Sequence, residues 1–161
     1  MPMTAATVTT APMPTAEFSR TIIEDLYAEA LVLADEAREV FDLRTRGPAQ
    51  SDREESRIAL SIEGLKTTTR IMHVLAWLLN QRAFLSGELS EQQLRNAGPL
   101  PADRGSDERQ LAQLAPQTRA LIRDTERLHA RASRLDADRS TLGESAVGRI
   151  HGRLAQAFAA G

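Results

Sequence analysis

The chain has 161 residues, a formal net charge of −2 and 42% hydrophobic residues, which is the size and composition of one globular domain. A net charge this small gives no general attraction to nucleic acid or to anionic lipid, so any basic function must be local. The sequence contains no cysteine, which excludes disulfides, thiolate catalysis and cysteine zinc sites and is compatible with a reducing compartment.

The first sixteen residues contain neither Lys nor Arg and have no continuous apolar run. They therefore lack both the positively charged region and the apolar region of a secretory signal. We expect residues 1–16 to form a disordered lead-in. No membrane-spanning segment or lipidation motif follows in the sequence. These observations predict a cytoplasmic protein without a membrane partner.

A first long helix is predicted from about Glu17 to Leu43, because apolar residues recur there at the spacing of one helix face. Its predicted core seam consists of Phe18, Ile22, Leu26, Ala30, Leu33, Ala37 and Val40. Acidic residues are concentrated in its early turns and arginines at its end, as the helix dipole favours. The pair Gly47 and Pro48 then ends the helix.

The second helix is predicted to start at a capping box formed by Ser51 and Glu54 and to run to about Ser86, with Gly87 as a left-handed cap. One set of its residues alternates at spacings of four and three and is predicted to be the seam facing the core. This set is Ile58, Ile62, Leu65, Thr69, Met72, Ala76, Leu79 and Ala83.

From Ile71 onward the second helix carries further apolar residues on its other side. A helix that is apolar all round must be buried on all sides, and a chain this short cannot wrap it fully. We therefore predict a homodimer in which the second helices of two chains contact each other, with large apolar side chains as anchors in the interface. The predicted interface residues are Ile71, Val74, Leu75, Trp77, Leu78, Phe84 and Leu85.

A second capping box at Ser90 predicts a short turn of helix that ends by Gly98 and Pro99, followed by a turn-rich connector over residues 98–106. The third long helix is predicted to begin between Asp107 and Pro116. Its seam is Leu114, Thr118, Leu121, Thr125, Leu128, Ala132 and Leu135. Glycines at positions 143, 148 and 152 each cost a helix about 1 kcal/mol. Residues 136–161 are therefore predicted to form a flexible or weakly helical tail.

The sequence shows no strand-like alternation and no internal repeat. Three long helices joined by short links predict an all-α fold, namely an antiparallel three-helix bundle over residues 17–135 in up-down-up order. The surplus apolar surface of the second helix predicts that this bundle is a dimer.

Candidate catalytic and metal-binding residues are scarce. The three histidines fall on different elements, and the E-x-x-H motif of Glu126 and His129 occurs once, whereas a di-iron bundle needs two copies and further glutamates. No nucleophile elbow, phosphate-binding glycine loop or dinucleotide fingerprint is present. We expect no catalytic residue, no metal and no cofactor. A bundle enzyme with a metal core is the rival hypothesis, and elemental analysis would test it.

One basic pattern lies on the third helix, on the side opposite its apolar seam. It consists of Arg119, Arg123, Arg127, Arg131 and Arg134. The favoured interpretation is a solvated face that Asp124 and Glu126 partly neutralise. The functional interpretation is a surface for acidic or phosphate-bearing partners, since guanidinium groups bind both in a bidentate way. The alternative function is a helical nucleic-acid-associated regulator, although no aromatic residues alternate with the arginines.

The second helix also carries a family resemblance. The run LKTTTRIMHVLAWLLNQRA at residues 65–83, followed by GELS at residues 87–90, resembles the RcdA-like family (regulator of CtrA degradation) of alphaproteobacteria. Tyr27 with residues 29–31 and 34–37 looks like the first helix of that family, so the likeness spans roughly residues 17–135.

The resemblance implies a dimeric three-helix bundle without enzymatic activity, an adaptor that helps deliver cell-cycle regulators to the ClpXP protease. In that family the flexible C-terminal tail is implicated in function. We therefore expect a cytoplasmic adaptor whose partners are a second copy of itself, a ClpXP-type protease and its cargo. The arginine pattern and the tail would recruit partners, and tethering would raise the local concentration of cargo at the protease.

Overall fold

A computed structural model describes the backbone of residues 14–42 and 54–159 and the side chains of residues 19–42 and 54–140. Within these ranges the chain forms five helices and no strand, which confirms the all-α prediction. The helices are α1 (Pro14–Phe41), α2 (Glu54–Leu85), α3 (Glu91–Ala97), α4 (Glu108–Leu111) and α5 (Pro116–Ala159). Residues 1–13 of the predicted lead-in and the capping residue Ser51 lie outside the described residues. Residues 14–16, which were also assigned to the lead-in, are helical, because α1 begins at Pro14 rather than near Glu17.

Local signals in the sequence set several helix ends. The Ser90 hydroxyl accepts a hydrogen bond from the Gln93 amide, and the Gln93 side chain accepts one from the Ser90 amide, which confirms the second capping box. Gly87 follows α2 with a φ of 81°, the left-handed conformation expected of a glycine cap. Pro116 opens α5 at a position where no backbone donor is needed.

The long helix α5 continues well beyond the expected end of the third helix. It runs without a break for 44 residues to Ala159, where the sequence predicted a flexible or weakly helical tail from residue 136. A glycine weakens a helix by about 1 kcal/mol but keeps its backbone donor, so it does not interrupt the hydrogen-bond ladder as proline does. The three glycines of this segment therefore leave the helical backbone intact.

The predicted core seams of the first and third long helices are confirmed where side chains are described. Leu26, Ala30, Leu33 and Ala37 are buried on α1, and Ile22 and Val40 at its two ends are half-buried. Six of the seven predicted seam positions on α5 and just before it are buried, namely Leu114, Thr118, Leu121, Thr125, Leu128 and Ala132. The seventh, Leu135, is half-buried. Phe18 lies outside the described side chains.

The three long helices pack against one another, but their directions differ from the predicted up-down-up order. Helix α1 is antiparallel to α2, because Arg20 at its start bonds to the Leu85 carbonyl at the end of α2 (2.7 Å). Helix α5 is parallel to α2. Thr125 of α5 bonds to Arg70 of α2, and Asp136, later on α5, bonds to Trp77, which is later on α2.

The connection between α2 and α5 explains this topology. Residues 86–115 do not form a short link but return along the bundle to the level where α2 begins. Leu100 lies beside Asp136, and further along the chain the Asp107 amide reaches Glu63 near the start of α2. This return path also supplies apolar side chains, since Leu100 joins the main core cluster and Leu111 joins a smaller cluster with Leu60.

Candidate interaction surfaces

The two apolar faces of α2 are exchanged relative to the sequence prediction. Residues expected in the core are exposed: Leu65 is 71% and Met72 63% accessible, and Ile58, Ile62 and Leu79 are also exposed. Residues expected at a dimer interface are instead buried within one chain. These are Ile71, Val74, Trp77 and Leu78, which join the main core cluster.

The remaining predicted interface residues, Leu75, Phe84 and Leu85, are half-buried. Leu75 and Leu85 pack against the core, and the Arg139 guanidinium lies 5.5 Å from the centre of the Phe84 ring. The predicted interface set therefore does not form an accessible surface. The assignment of faces was wrong because the inner side of α2 also carries polar residues, whose burial the spacing of apolar residues does not indicate. These are Glu63, Thr67, Arg70 and Gln81, all buried.

We call the accessible apolar side of α2 the outer face. It consists of Ile58, Ile62, Leu65, Thr69, Met72, Ala76, Leu79 and Ala83, of which Ala83 alone is half-buried. Two rows of residues at seven-residue intervals make up this set, and the spacing alternates between four and three. That is the a and d pattern of a coiled-coil seam. It continues from Ile58 to Ala83, a helical rise of about 38 Å.

Two cations beside the outer face, Lys66 and Arg82, are neutralised within the chain. Lys66 lies 2.9 Å from a carboxylate oxygen of Glu63, and Arg82 lies 2.8 Å from one of Glu24. The Arg82 guanidinium also lies 4.3 Å from the centre of the Tyr27 ring. The hydrogen bond to Glu24 is the main reason why the pKa of Arg82 is raised. The outer face is thus bordered by cations that already have acidic partners.

A groove of about 430 Å³ between α1 and α2 adjoins the outer face at Met72. Apolar side chains and short polar ones line most of it: Ala34, Ala37, Arg38, Phe41, Asp42, Thr68, Ile71, Met72 and Leu75. Leu31 and Val32, on α1, are also exposed. Exposed apolar surface is therefore present on both of these helices.

On the opposite side of α2, an extended segment lies against α2 and α5. We call residues 98–107 the connector strap. Three carboxylates accept hydrogen bonds from its backbone amides: Asp136 from Leu100 (2.9 Å), Glu126 from Ser106 (3.1 Å) and Glu63 from Asp107 (3.3 Å). Asp136 uses its other oxygen to accept from the Trp77 indole at 2.9 Å.

Two further side chains bond to carbonyl groups of the strap. His129 donates from Nε2 to the Pro101 carbonyl at 2.9 Å, and Lys66 donates to the Gly105 carbonyl at 3.4 Å. His129 also accepts a 3.3 Å hydrogen bond at Nδ1 from Ser133. Backbone groups toward both ends of the strap, at residues 100–101 and 105–107, are therefore bound by side chains of α2 and α5.

Arg70 is the charged centre of this contact and is only 2% exposed. Its Nη1 donates to the Thr125 hydroxyl at 2.9 Å, and its Nε lies 2.9 Å from an oxygen of Asp103 in the strap. Its Nη2 lies 3.6 Å from Glu126. Burial raises the pKa of Glu126, but hydrogen bonds from Arg123 and Ser106 and the charge of Arg70 outweigh it, and the net pKa is lowered.

Several buried polar atoms in this contact have no hydrogen-bond partner. They are Glu63 Oε2, Thr67 Oγ1, Arg70 Nε and Nη2, and Ser106 Oγ. The Nε of Arg70 is close enough to Asp103 for an ion pair, but its N–H does not point along that line. The strap therefore leaves several polar atoms of the surface that it covers without a hydrogen bond. Unpaired buried polar atoms are energetically unfavourable.

The arginine pattern on α5 is largely neutralised. Arg123 bonds to Glu126 (2.8 Å) and to Glu108, Arg127 pairs with Asp124, and Arg131 pairs with Glu29 of α1 (2.6 Å). The other two predicted members, Arg119 and Arg134, are exposed. Most of the positive charge on this surface is thus already compensated by acidic side chains of the same chain.

The single E-x-x-H motif belongs to the strap contact, since Glu126 and His129 each bind strap backbone. Among the described residues no three His, Asp or Glu side chains are grouped as metal ligands would be. None of the helices in this part of the chain has the length and apolar character needed to cross a bilayer.

The described residues thus define an all-helical protein in which one helix, α2, exposes an apolar face. The chain belongs to the DUF1465 family, described as a protein of unknown function, whose model matches residues 15–158. Neither a curated protein nor a solved structure shows a match.

Proposed function

We propose that this protein is a non-enzymatic adaptor that binds other proteins, and that it acts as a homodimer joined through the outer faces of α2. The observation that carries the proposal is the row of exposed Ile, Leu and Met side chains on a helix whose opposite side is already buried. Contiguous apolar surface of this kind is typical of protein–protein interfaces rather than of a solvated helix.

A second copy of the chain is the occupant that the outer face fits best. A two-fold interface places the same patch against itself, so the patch must be self-complementary. The seven-residue rows meet this requirement, because each larger side chain such as Leu65 or Met72 can pack beside small residues such as Thr69 or Ala76 of the partner. The neutralised Lys66 and Arg82 remove like-charge repulsion along the border.

The adaptor role is supported by the resemblance to the RcdA-like family and by the length of α5. Arg139 lies at the level of Phe84, near the end of α2, and α5 continues over residues 140–159, a rise of about 30 Å. A dimer would present two such helix ends for a ClpXP-type protease and a cell-cycle cargo in the cytoplasm. Bringing both to one particle raises the effective concentration of cargo at the protease.

Single-cysteine crosslinking tests the dimer, since the chain has no cysteine of its own. Thr69→Cys lies near the middle of the outer face, where two copies meet in either a parallel or an antiparallel pair. We expect rapid disulfide crosslinking at micromolar concentration. Arg119→Cys, exposed on α5, is the matched control and should remain uncrosslinked. Equal crosslinking of both variants, or of neither, would contradict pairing through the outer face.

Reconstituted proteolysis tests the adaptor role. A purified ClpXP-type protease and a candidate cell-cycle regulator are incubated with the full chain, or with a chain that ends at Ser140. We expect the full chain to accelerate degradation and the shortened chain to lose this effect, while its helical circular dichroism falls only in proportion to the helical residues removed from α5. An unchanged degradation rate, together with no copurification of protease subunits after crosslinking in the native cell, would refute the role.

A further inference from the structure

The contact between the connector strap and its helices has the features of peptide recognition. The strap is extended, and its backbone donors and acceptors are bound by side chains of α2 and α5 at Leu100, Pro101, Gly105, Ser106 and Asp107. Backbone contacts of this kind hold a segment in place without depending on its side chains, as in complexes that recognise extended peptides.

Two contacts add sequence dependence. The Leu100 side chain is buried in the main core cluster, and Asp103, three residues later, pairs with the buried Arg70. The strap therefore presents to this surface an apolar residue followed three positions later by an acidic residue.

The strap leaves part of the surface unsatisfied. Oε2 of Glu63 and the hydroxyl of Thr67 have no partner, and neither Nε nor Nη2 of Arg70 makes a hydrogen bond. All three side chains are fully or almost fully buried on α2. A segment that offered a donor to Glu63 and a better-aligned carboxylate to Arg70 would form hydrogen bonds that the strap does not form.

We infer that the surface of α2 and α5 under the connector strap is a binding site for an extended peptide of a partner protein, carrying an apolar residue and an acidic residue three positions later, and that the connector strap occupies this site as an internal competitor. This inference deepens the proposed adaptor function, because it names the kind of segment that a partner would present. A partner segment must displace the strap, so binding is inhibited within the free chain. A tethered segment has an effective concentration on the order of millimolar, which sets the strength of that inhibition.

A fluorescently labelled peptide of residues 97–108 is the probe. It is titrated against the full chain and against a double variant, Leu100→Ser with Asp103→Asn, that removes both sequence-dependent contacts of the strap. We expect the dissociation constant to be at least about tenfold lower for the variant, because its internal competitor is weakened. Trp77 is the only tryptophan, and its indole shares Asp136 with the strap, so its emission should shift in the variant and return as peptide binds.

Peptides with the same two substitutions are the matched controls and should not bind the variant. Absence of binding by the unsubstituted peptide to a variant with native helical circular dichroism would overturn the inference. Unfolding of the variant would also overturn it, since the strap would then be an inseparable part of the bundle.

Native-state hydrogen exchange gives an independent measurement on the unmodified chain. The amides of Leu100, Ser106 and Asp107 should exchange through a local opening, with protection at least about tenfold lower than that of Leu78 and Leu128. Equal protection of the strap and these core amides would refute a displaceable strap. Neither readout involves the outer face, so failure here together with successful Thr69→Cys crosslinking and protease stimulation would remove this inference and leave the adaptor proposal standing.

Discussion

The outer and inner faces of α2 differ in a way that simple polarity does not anticipate. The outer face exposes Leu65 and Met72, whereas the inner face buries Arg70 and Glu63. The buried charges are retained because each has partners in the folded chain. Arg70 contacts a carboxylate of the connector strap and a hydroxyl of α5, whereas Glu63 accepts hydrogen bonds from Lys66 and from a strap amide.

Burial on α2 therefore follows the availability of partners for polar groups rather than hydrophobicity alone. A buried ion pair is not in itself a source of stability, because removing two charges from water is unfavourable. It does require its partners to be in place, so it ties the strap to α2 and α5. The apolar outer face, in contrast, has no covering element within the described part of its own chain.

Neighbouring leucines give the strongest way to separate the two faces. Leu78→Ala, at a fully buried position, should lower the free energy of unfolding by about 2–5 kcal/mol, because it removes core packing and leaves a cavity. Leu79→Ala, on the outer face, should lower it by only about 0.5 kcal/mol when measured in dilute solution. Urea denaturation measures both. Equal losses, or a larger loss for Leu79→Ala, would mean that the faces are assigned incorrectly.

Arg70→Ala tests the inner polar contact. We expect a loss of about 3 kcal/mol, because Asp103 and Glu126 lose their shared cation and Thr125 loses a donor. The control is Arg127→Ala, which removes an exposed pair with Asp124 and should change stability by less than about 1 kcal/mol. A loss for Arg70→Ala no larger than that of the control would show that the buried charge does not hold the strap.

Gly64→Ala tests the contact of α2 with α1. An added Cβ would lie 2.8 Å from a ring carbon of Phe41, which is closer than two nonbonded carbon atoms normally approach. The overpacking penalty of about 1–3 kcal/mol equals or exceeds the gain of about 1 kcal/mol from replacing glycine within a helix. Chemical denaturation should therefore show a net loss of up to about 2 kcal/mol. In a Phe41→Ala background the same substitution should become stabilising, and a loss that persisted there would locate the strain elsewhere.

The pH dependence of stability gives the smallest effect, which comes from Glu126. Its pKa is lowered in the folded chain, because hydrogen bonds from Arg123 and Ser106 and the nearby Arg70 outweigh the opposing effect of burial. Its stabilising contribution is complete above an unfolded pKa of about 4.3 and is lost as pH falls through the lower folded value. Denaturation at a series of acidic pH values should show a shallower decline for Glu126→Gln. Identical profiles would contradict the assigned contact.

The sequence predicted the three long helices, the short helix α3 and two of three core seams, but not α4 as a separate helix. The two seams were predictable because α1 and α5 each carry one apolar stripe opposite a polar face. It could not decide which stripe of α2 faces inward. Periodicity alone gives both stripes the same helical character, and the polar residues that interrupt the inner one, such as Arg70 and Gln81, become buried only when tertiary partners meet them.

The direction of α5 was also beyond the sequence pattern. A connection rich in proline and glycine reads as a turn, whereas Pro101 and Gly105 lie in an extended strap held by His129 and Lys66. The candidate recognition surface arises from this long return path. It could be found only once residues distant in sequence, such as Trp77 and Asp136, were placed side by side.

Sedimentation velocity at micromolar concentration tests whether a second copy of the chain covers the outer face of α2. The unmodified chain should sediment as a dimer, and Leu65→Asp with Met72→Asp should sediment as a folded monomer with unchanged helical circular dichroism. An unmodified chain that sediments as a monomer, or a double variant that remains a dimer, would contradict the account.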